Sequence, residues 1–398
     1  MIPHEDAASG PGAFPPPLSL YIHIPWCVRK CPYCDFNSHN LRGTIPEIAY
    51  VDALLCDLDR DLASLEPEVQ PLVAVFIGGG TPSLLSGAAI GQLLDGIRQR
   101  LPLPTGTEIT LEANPGTADA GNFEAYREAG VNRLSLGFQS LNGRRLGDLG
   151  RIHGPAEARQ AFRLARQAGF DNLNLDLMFA LPGQDLDQAR ADLSEALALE
   201  PEHLSYYQLT LEPNTPFHLA PPPLLPDEDL AMEMQLRGLE LLTTAGFAQY
   251  EVSAHARPGR RCQHNLNYWT FGDYLGIGAG AHGKLTDLSS GVIRRTAKPR
   301  HPDAYLQPVG AVGPSLASSW LVEPDDIVLE FAMNALRLTA GFDLGLFQRR
   351  TGLATDLLLS PLLALQGTRL VEVREQWIRP TEQGRWFLND LLALFLPD

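Results

Sequence analysis

The chain has 398 residues, which at about 100–200 residues per domain fits two domains or one large domain with an appendage. It carries 31 Lys and Arg against 47 Asp and Glu, a formal charge of −16, and so acidic a surface repels phosphate backbones and argues against nucleic acid as the main partner. With 44% hydrophobic and 20% charged residues, the chain has material for a sizeable core and too little charge for disorder.

The first 17 residues, ending in Phe14-Pro15-Pro16-Pro17, read as a flexible lead. They lack the apolar centre of a secretory signal. No run in the chain approaches the roughly 18 apolar residues of a membrane span, so a cytoplasmic location is expected. Strand-like runs then recur at Leu18–Ile24, Leu72–Ile77, Glu108–Glu112, Arg133–Gly137, Leu173–Phe179 and Leu204–Leu211. Between and after them lie segments of helical periodicity: Ile45–Leu65, Ala88–Leu101, Ala120–Ala129, Pro155–Ala168, Leu186–Leu199 and Glu228–Ala245. Gly130, Gly169 and Gly246 sit where left-handed helix caps are needed. Six strand–helix units predict an α/β fold with a parallel sheet and helices outside. Six are too few for a closed eight-stranded barrel, so the expectation is an open, partial (βα)6 barrel with its chemistry at the strand carboxyl ends. A doubly wound sheet is the alternative, but it would gather polar residues at one switch point, whereas here they follow nearly every strand.

Prolines at 299, 302, 308 and 314 mark a change of pattern from about residue 297. This gives three expected parts: a lead over 1–17, a core over 18–296, and a C-terminal domain over 297–398. The last contains helical segments at Asp326–Leu338, Leu344–Thr351 and Asp356–Leu365. A hairpin follows from Thr368–Val373 and Gln376–Pro380, then a helix over Thr381–Phe395. Helices with a hairpin predict a small winged-helix-like domain, and since this tail is not basic it reads as a cap or scaffold rather than a DNA reader.

There are five cysteines: Cys27, Cys31, Cys34, Cys56 and Cys262. An odd, sparse count is no disulfide framework. Cys27-Val-Arg-Lys-Cys31-Pro-Tyr-Cys34 places three of them within eight residues, just after the first strand. Thiolates are soft ligands that suit iron–sulfur clusters and zinc. Three ligands can hold three irons of a cubane cluster and leave the fourth open for a substrate or cofactor. Zinc needs a fourth ligand, for which His23 and His39 are near, but the usual distant second pair is missing. Cys56 is expected to pack on an amphipathic helix.

Gly78-Gly79-Gly80-Thr81-Pro82 follows the second strand. Consecutive glycines let a ligand approach the main chain, while Walker spacing and its Lys are absent. Glu112, Gln139 and Arg151 lie at or beyond strand ends, and Asp176 lies on the fifth strand among Leu175, Leu177 and Met178, where a carboxylate is costly to bury without a partner.

The segment Tyr21-Ile-His-Ile-Pro-Trp-Cys27 through Cys34-Asp-Phe-Asn resembles the cluster loop of the radical S-adenosylmethionine (SAM) superfamily. Within it, the chain is similar to the branch holding oxygen-independent coproporphyrinogen III oxidase and the heme chaperones of the HemW family, over nearly its whole length from Leu18 onward. The resemblance implies a [4Fe–4S] cluster on Cys27, Cys31 and Cys34. Its open iron would bind SAM, and an electron from the cluster would cleave SAM to a radical. It implies SAM contacts at Gly79, Gly80, Thr81, Glu112, Gln139, Arg151 and Asp176, with Tyr21 beside SAM and Tyr33 near a second SAM site seen in the oxidase.

Two features separate the rivals within that branch. The oxidase carries a further cysteine where this chain has Phe36. His264-Asn-Leu-Asn-Tyr-Trp269 fits H-N-x-x-Y-W, a pattern associated with heme binding in the HemW family. An imidazole ligates heme iron and aromatic rings cover a porphyrin face; the plain alternative is a core histidine in an aromatic strand. Cys262 reads as a buried thiol or a second heme ligand, His282 after its glycine turn as a candidate for the barrel mouth, and His153 as loop. The expectation is therefore a heme chaperone of porphyrin metabolism, with [4Fe–4S], SAM and heme. It would deliver heme to an acceptor such as a respiratory protein, with peripheral membrane contact allowed. Coproporphyrinogen oxidation is the rival function.

Overall fold

The computed structural model describes residues 15–63, 70–117, 120–287, 290–307, 318–365 and 368–396. Most of the expected lead, residues 1–14, lies outside the described residues, as do Pro308 and Pro314.

One large sheet organises the chain. Strands β1 (Leu18–Ile24), β2 (Leu72–Gly79), β3 (Glu108–Ala113), β4 (Arg133–Gln139), β5 (Leu173–Phe179) and β6 (His203–Gln208) lie side by side in chain order, each parallel to the next. A short pair, β7 (Ala248–Gln249) and β8 (Ala254–Ala256), closes one edge, with β8 antiparallel to β6. On the other side, β9 (Asp273–Ile277) is parallel to β1. Antiparallel strands β10 (His282–Thr286), β11 (Ile293–Ala297) and β12 (Ser318–Leu321) continue that edge. The six expected units are present, and β9 adds a seventh parallel strand that the pattern hid because no helix follows it.

Helices α1 (Glu47–Leu62), α2 (Gly87–Arg98), α3 (Ala120–Ala129), α4 (Pro155–Gln167), α5 (Leu186–Leu197) and α6 (Glu228–Thr244) follow β1 to β6 in turn. Ser86, Asp185 and Asp227 cap α2, α5 and α6 by accepting a backbone N–H three residues on. Gly130, Gly169 and Gly246 take φ of 110°, 86° and 83°, the left-handed caps read from sequence. Alternation along the parallel strands sends Leu20, Ile22, Val75, Ile77, Leu111, Leu134 and Leu136 into the core beneath the helices. The intervening residues face the barrel interior.

Cys56 departs from its expected packing role. The buried stripe of α1 is Tyr50, Val51, Leu54, Asp57 and Leu58, and Cys56 falls on the exposed outer face. The sixth strand ends at Gln208, because Leu209 turns away to join Leu149, Met178, Leu181 and Phe217 in a separate apolar cluster.

The sheet runs past residue 297. β12 pairs along β11, and Tyr305 packs into the barrel core. A second core takes over from Val322, with Phe331, Phe342, Phe347 and Ile378 at its centre and Phe271 and Ile293 from the barrel at its border. Its helices are Pro324–Ala335, Leu344–Thr351 and Asp356–Ala364, and its hairpin is Val371–Arg374 with Trp377–Pro380. The expected last helix is broken at Phe387, whose φ of −104° and ψ of 39° separate Glu382–Trp386 from Leu388–Leu392. This helical domain with its hairpin is winged-helix-like. Arg337 bonds Glu251 at 2.8 Å and stacks 4.4 Å over the Trp269 ring, tying it to the barrel. Among the described residues no helix is long and apolar enough to cross a membrane.

Candidate functional site

The cysteine loop leaves β1 and folds back on itself. Trp26–Cys27 pairs with His39–Asn40, Lys30 N–H donates to Asn40 Oδ1 at 2.7 Å, and Cys34 N–H donates to Cys31 O at 3.2 Å. All three sulfurs are free thiols of intermediate exposure, so donors are presented at the mouth rather than buried as packing. Thr81 Oγ1 donates to Cys27 Sγ at 3.5 Å, and Arg151 Nη1 to Cys31 Sγ at 3.6 Å. Burial pushes the Cys27 and Cys34 thiols up, partly offset by hydrogen bonds from Thr81 and Ser38 to Cys27 and from Phe36 N–H and Ser38 to Cys34.

His23 is not the missing ligand of a zinc site. Its Nδ1 is 2.9 Å from Tyr21 OH and its Nε2 is 2.8 Å from Asn37 O, so both ring nitrogens are engaged. His39 Nε2 is 3.2 Å from Arg300 O, which leaves three thiols on one loop, the donor chemistry of an iron–sulfur cluster.

A cavity of about 390 Å³ opens beside the loop. It brings together Cys27, Cys31, Tyr33, Cys34, Gly79, Gly80, Thr81, Glu112, Gln139, Arg151 and Asp176. Every expected cluster and SAM position except Tyr21 lines this one space. Gly79 has φ of +115°, and a Cβ there would lie 2.6 Å from the His23 ring; a Cβ on Gly80 would lie 2.5 Å from Trp26 O. The glycine turn is thus required for close approach and not merely tolerated. Gln139 holds a non-glycine φ of 58°, a strained conformation of the kind that gathers at functional sites. Its Oε1 and the Arg151 Nε are buried without a hydrogen-bond partner. These orphaned polar atoms at the cavity leave a donor and an acceptor for a ligand to satisfy.

Two carboxyls floor the cavity. Glu112 accepts the Gly79 N–H at 3.1 Å, and burial, then the nearby Asp176, push it up to about 8. Asp176 is raised by burial too, relieved by hydrogen bonds from Asn174 at 2.9 Å and Ser135 at 3.0 Å. A buried carboxyl pair beside a neutral glycine turn suits a cationic group such as an ammonium. Ser135, Asn174 and Tyr207 were not singled out in the sequence. The signal was present in the period-two alternation of Ser135, Gly137 and Gln139, and of Asn174 and Asp176, which places polar residues on the inner face.

Tyr21 lies across the wall. With His23, Phe36, Tyr268, Tyr274, His282 and Arg300 it lines a second cavity of about 690 Å³, which shares Phe36, Gly79 and Glu112 with the first.

The H-N-x-x-Y-W segment is a seven-residue helix, α7 (Gln263–Trp269), not a strand. One turn separates His264 from Tyr268, so both sit on one face. His264 is 2% exposed, stacked with Phe76 at 4.8 Å and flanked by Tyr268 at 4.4 Å and Tyr21 at 6.0 Å. Tyr268 and Tyr21, which pack against it, line the second cavity, and its own Nδ1 is buried without a hydrogen-bond partner. Burial, then Arg133, pull its imidazole down to about 3. Asn267 bolts the helix to the sheet, donating to Ser19 Oγ at 3.0 Å and Asp273 O at 2.8 Å. We expect Asn267→Ala to cost about 1–3 kcal/mol by stranding those acceptors, measured as a lowered denaturant midpoint. Cys262 is fully buried, its Sγ 3.5 Å from Glu108, and burial pushes the thiol up to about 12; it is an inert thiol. His153 is buried, with Nε2 3.3 Å from Phe138 O. His282 is exposed at the cavity mouth.

An open parallel barrel with a three-thiol loop at its carboxyl end, beside a glycine turn and paired carboxyls, defines a radical SAM protein. The radical SAM superfamily matches residues 21–196, and the HemN C-terminal domain family matches residues 322–387. Heme chaperone HemW of Escherichia coli is 53% identical over 96% of this chain and 99% of its own length. Heme chaperone HemW of Haemophilus influenzae is 48% identical over the same shares. The chain belongs to the HemW family. The E. coli coproporphyrinogen III oxidase HemN structure superposes with a TM-score of 0.80 at 24% identity, over 96% of this chain and 90% of that one, and so shares the fold.

Proposed function

We propose that the chain binds heme and passes it to an acceptor protein, carrying a [4Fe–4S] cluster on Cys27, Cys31 and Cys34 and exchangeable SAM in the first cavity. The observation that supports this reading is the 53% identity to a relative named a heme chaperone, maintained over nearly its full length. Phe36, in place of the oxidase's extra cysteine, supports it as well.

In this reading the Gly79–Thr81 turn and Glu112 receive the amino end of SAM, the Glu112 carboxyl oxygens accepting from it while the Gly79 N–H holds that carboxyl in place. Gln139 and Arg151 supply the unpartnered polar atoms noted above, and Asp176 adds the second carboxyl. Tyr21 backs this site from the neighbouring cavity, and Tyr33 lines it. When bound, the cluster and SAM supply one-electron chemistry. The protein's own part is to seat them, exclude water and hold the Glu112 proton until a cation arrives. His264 packs the wall behind Tyr268. The chain divides into barrel and C-terminal cap between Leu321 and Val322, where the sheet ends and the second core begins. Five free thiols suit a reducing cytoplasm.

The test is heme titration of anaerobically purified protein beside an oxidase assay with coproporphyrinogen, SAM and reductant. The expected result is saturable heme binding and no protoporphyrinogen. Formation of protoporphyrinogen would sink the chaperone reading in favour of the oxidase.

A further inference from the structure

The second cavity is walled by rings and rimmed by charge. Tyr21, Tyr268 and Tyr274 form its inner wall, and Phe36, 59% exposed, stands at its border with the first cavity. An exposed ring such as Phe36 is costly in water unless something covers it. Its volume of about 690 Å³ is that of a space for a large small-molecule ligand.

Three imidazoles stand in or beside this cavity, and one is spoken for. His23 uses both ring nitrogens, on Tyr21 OH and Asn37 O. His264 has its Nδ1 unpartnered but is buried, packed against Tyr21 and Tyr268. His282 alone is exposed into the space, and among the described residues no hydrogen bond occupies its ring. Burial and the nearby Arg295 and Arg300 hold it below its ordinary value, so the ring is neutral at pH 7 and keeps a lone pair for a metal. The position is fixed by backbone: His282 pairs with Ala297 across β10 and β11, and Lys298 N–H donates to Ala281 O at 2.9 Å.

Arg300 provides the charge. Its carbonyl is pinned by Asn37 Nδ2 at 2.8 Å and His39 Nε2 at 3.2 Å, while its guanidinium makes no ion pair among the described residues. An unpaired guanidinium on an otherwise acidic protein, at the rim of an aromatic slot, suits a carboxylate held outside that slot.

An aromatic wall, one exposed neutral imidazole and one guanidinium without an ion pair match a metalloporphyrin with acidic side chains. Resting on the heme-chaperone reading above, we infer that the second cavity is the heme site, with His282 as axial ligand to the iron and Arg300 bound to a propionate. Tyr268 is then the member of the H-N-x-x-Y-W helix that meets the macrocycle, and His264 is a positioning residue beneath it. The shared wall of Phe36, Gly79 and Glu112 sets the cargo against the SAM cavity.

The test uses the full chain, anaerobic and cluster-loaded, titrated with ferric heme b. Readouts are the heme absorbance and the iron–histidine stretching band of the ferrous form. His282→Ala is expected to weaken binding on the order of tenfold or more and to abolish that band, with cluster iron retained. His282→Gly with added imidazole is expected to restore the band, which a merely structural role would not do. His264→Ala is expected to keep the band and weaken binding less. Heme binding to the parent chain with an unchanged band in His282→Ala, or loss of the band in His264→Ala alone, would overturn the assignment while leaving the chaperone reading standing. No heme binding by the parent chain would overturn both.

Discussion

Cys31→Ala, purified anaerobically, is expected to have lost its iron–sulfur absorbance and most of its iron while remaining folded. A cubane cluster on three protein thiolates has no ligand to spare, so iron should fall from about four per chain to near none. The fold should survive because the loop contributes little to the core. The three sulfurs have intermediate exposure, and the loop is held instead by backbone pairing between Trp26–Cys27 and His39–Asn40. Circular dichroism and a thermal melt check the fold; iron and sulfide assays check the cluster. A structural zinc protein would instead be colourless and carry stoichiometric zinc in the parent chain. Cys56→Ala is the control: that residue is exposed on the outer face of α1, outside the cavity that gathers the three cysteines of the loop, and its loss should leave iron content unchanged.

What sequence reading could reach was set by how local each signal is. The strands and their order were legible because buried parallel strands read as apolar runs and helices separate them, three ending at a left-handed glycine. The cysteine triad and the glycine turn were legible because their chemistry depends on spacing within a single loop. β9 was not, since it joins β1 from 255 residues away without a helix to announce it. His264 shows the other limit. Six residues identified the segment, but whether its imidazole is open or sealed depends on Tyr21 in β1 and Phe76 in β2, both distant in the chain. Cys56 failed for a plainer reason: the helix around it is amphipathic, but the cysteine falls on its polar side. The second cavity was invisible altogether, because β1, α7, β9, β10 and the segment holding Arg300 meet only in the folded chain.

Glu112→Gln is expected to change two measurements in opposite directions. In the folded chain Glu112 is pushed up to about 8, first by burial and then by Asp176, from an ordinary value of 4.5. The folded state therefore binds more protons than the unfolded one between those limits, and stability is lost as pH rises through that window. The full shift corresponds to at most about 5 kcal/mol. Glutamine cannot ionise, so the variant should unfold at a higher temperature than the parent at pH 9 and at a similar one near pH 5. Asp176 leaves a smaller residual slope of the same sign. Ligand binding should move the other way. At pH 7 the parent holds the Glu112 proton, and an arriving ammonium favours the carboxylate, so SAM binding should release close to one proton. Calorimetry in buffers of different ionisation enthalpy reads that proton directly. In Glu112→Gln the release should vanish and affinity should fall roughly ten- to hundredfold, the worth of a hydrogen bond to a charged group. A variant that melts like the parent at pH 9 would show that Glu112 is already ionised. A variant that binds SAM as tightly would show that the cation is seated elsewhere. The same carboxyl thus costs stability in the ligand-free protein and repays it as affinity, which is why a buried acid without a cationic partner persists at the floor of this cavity.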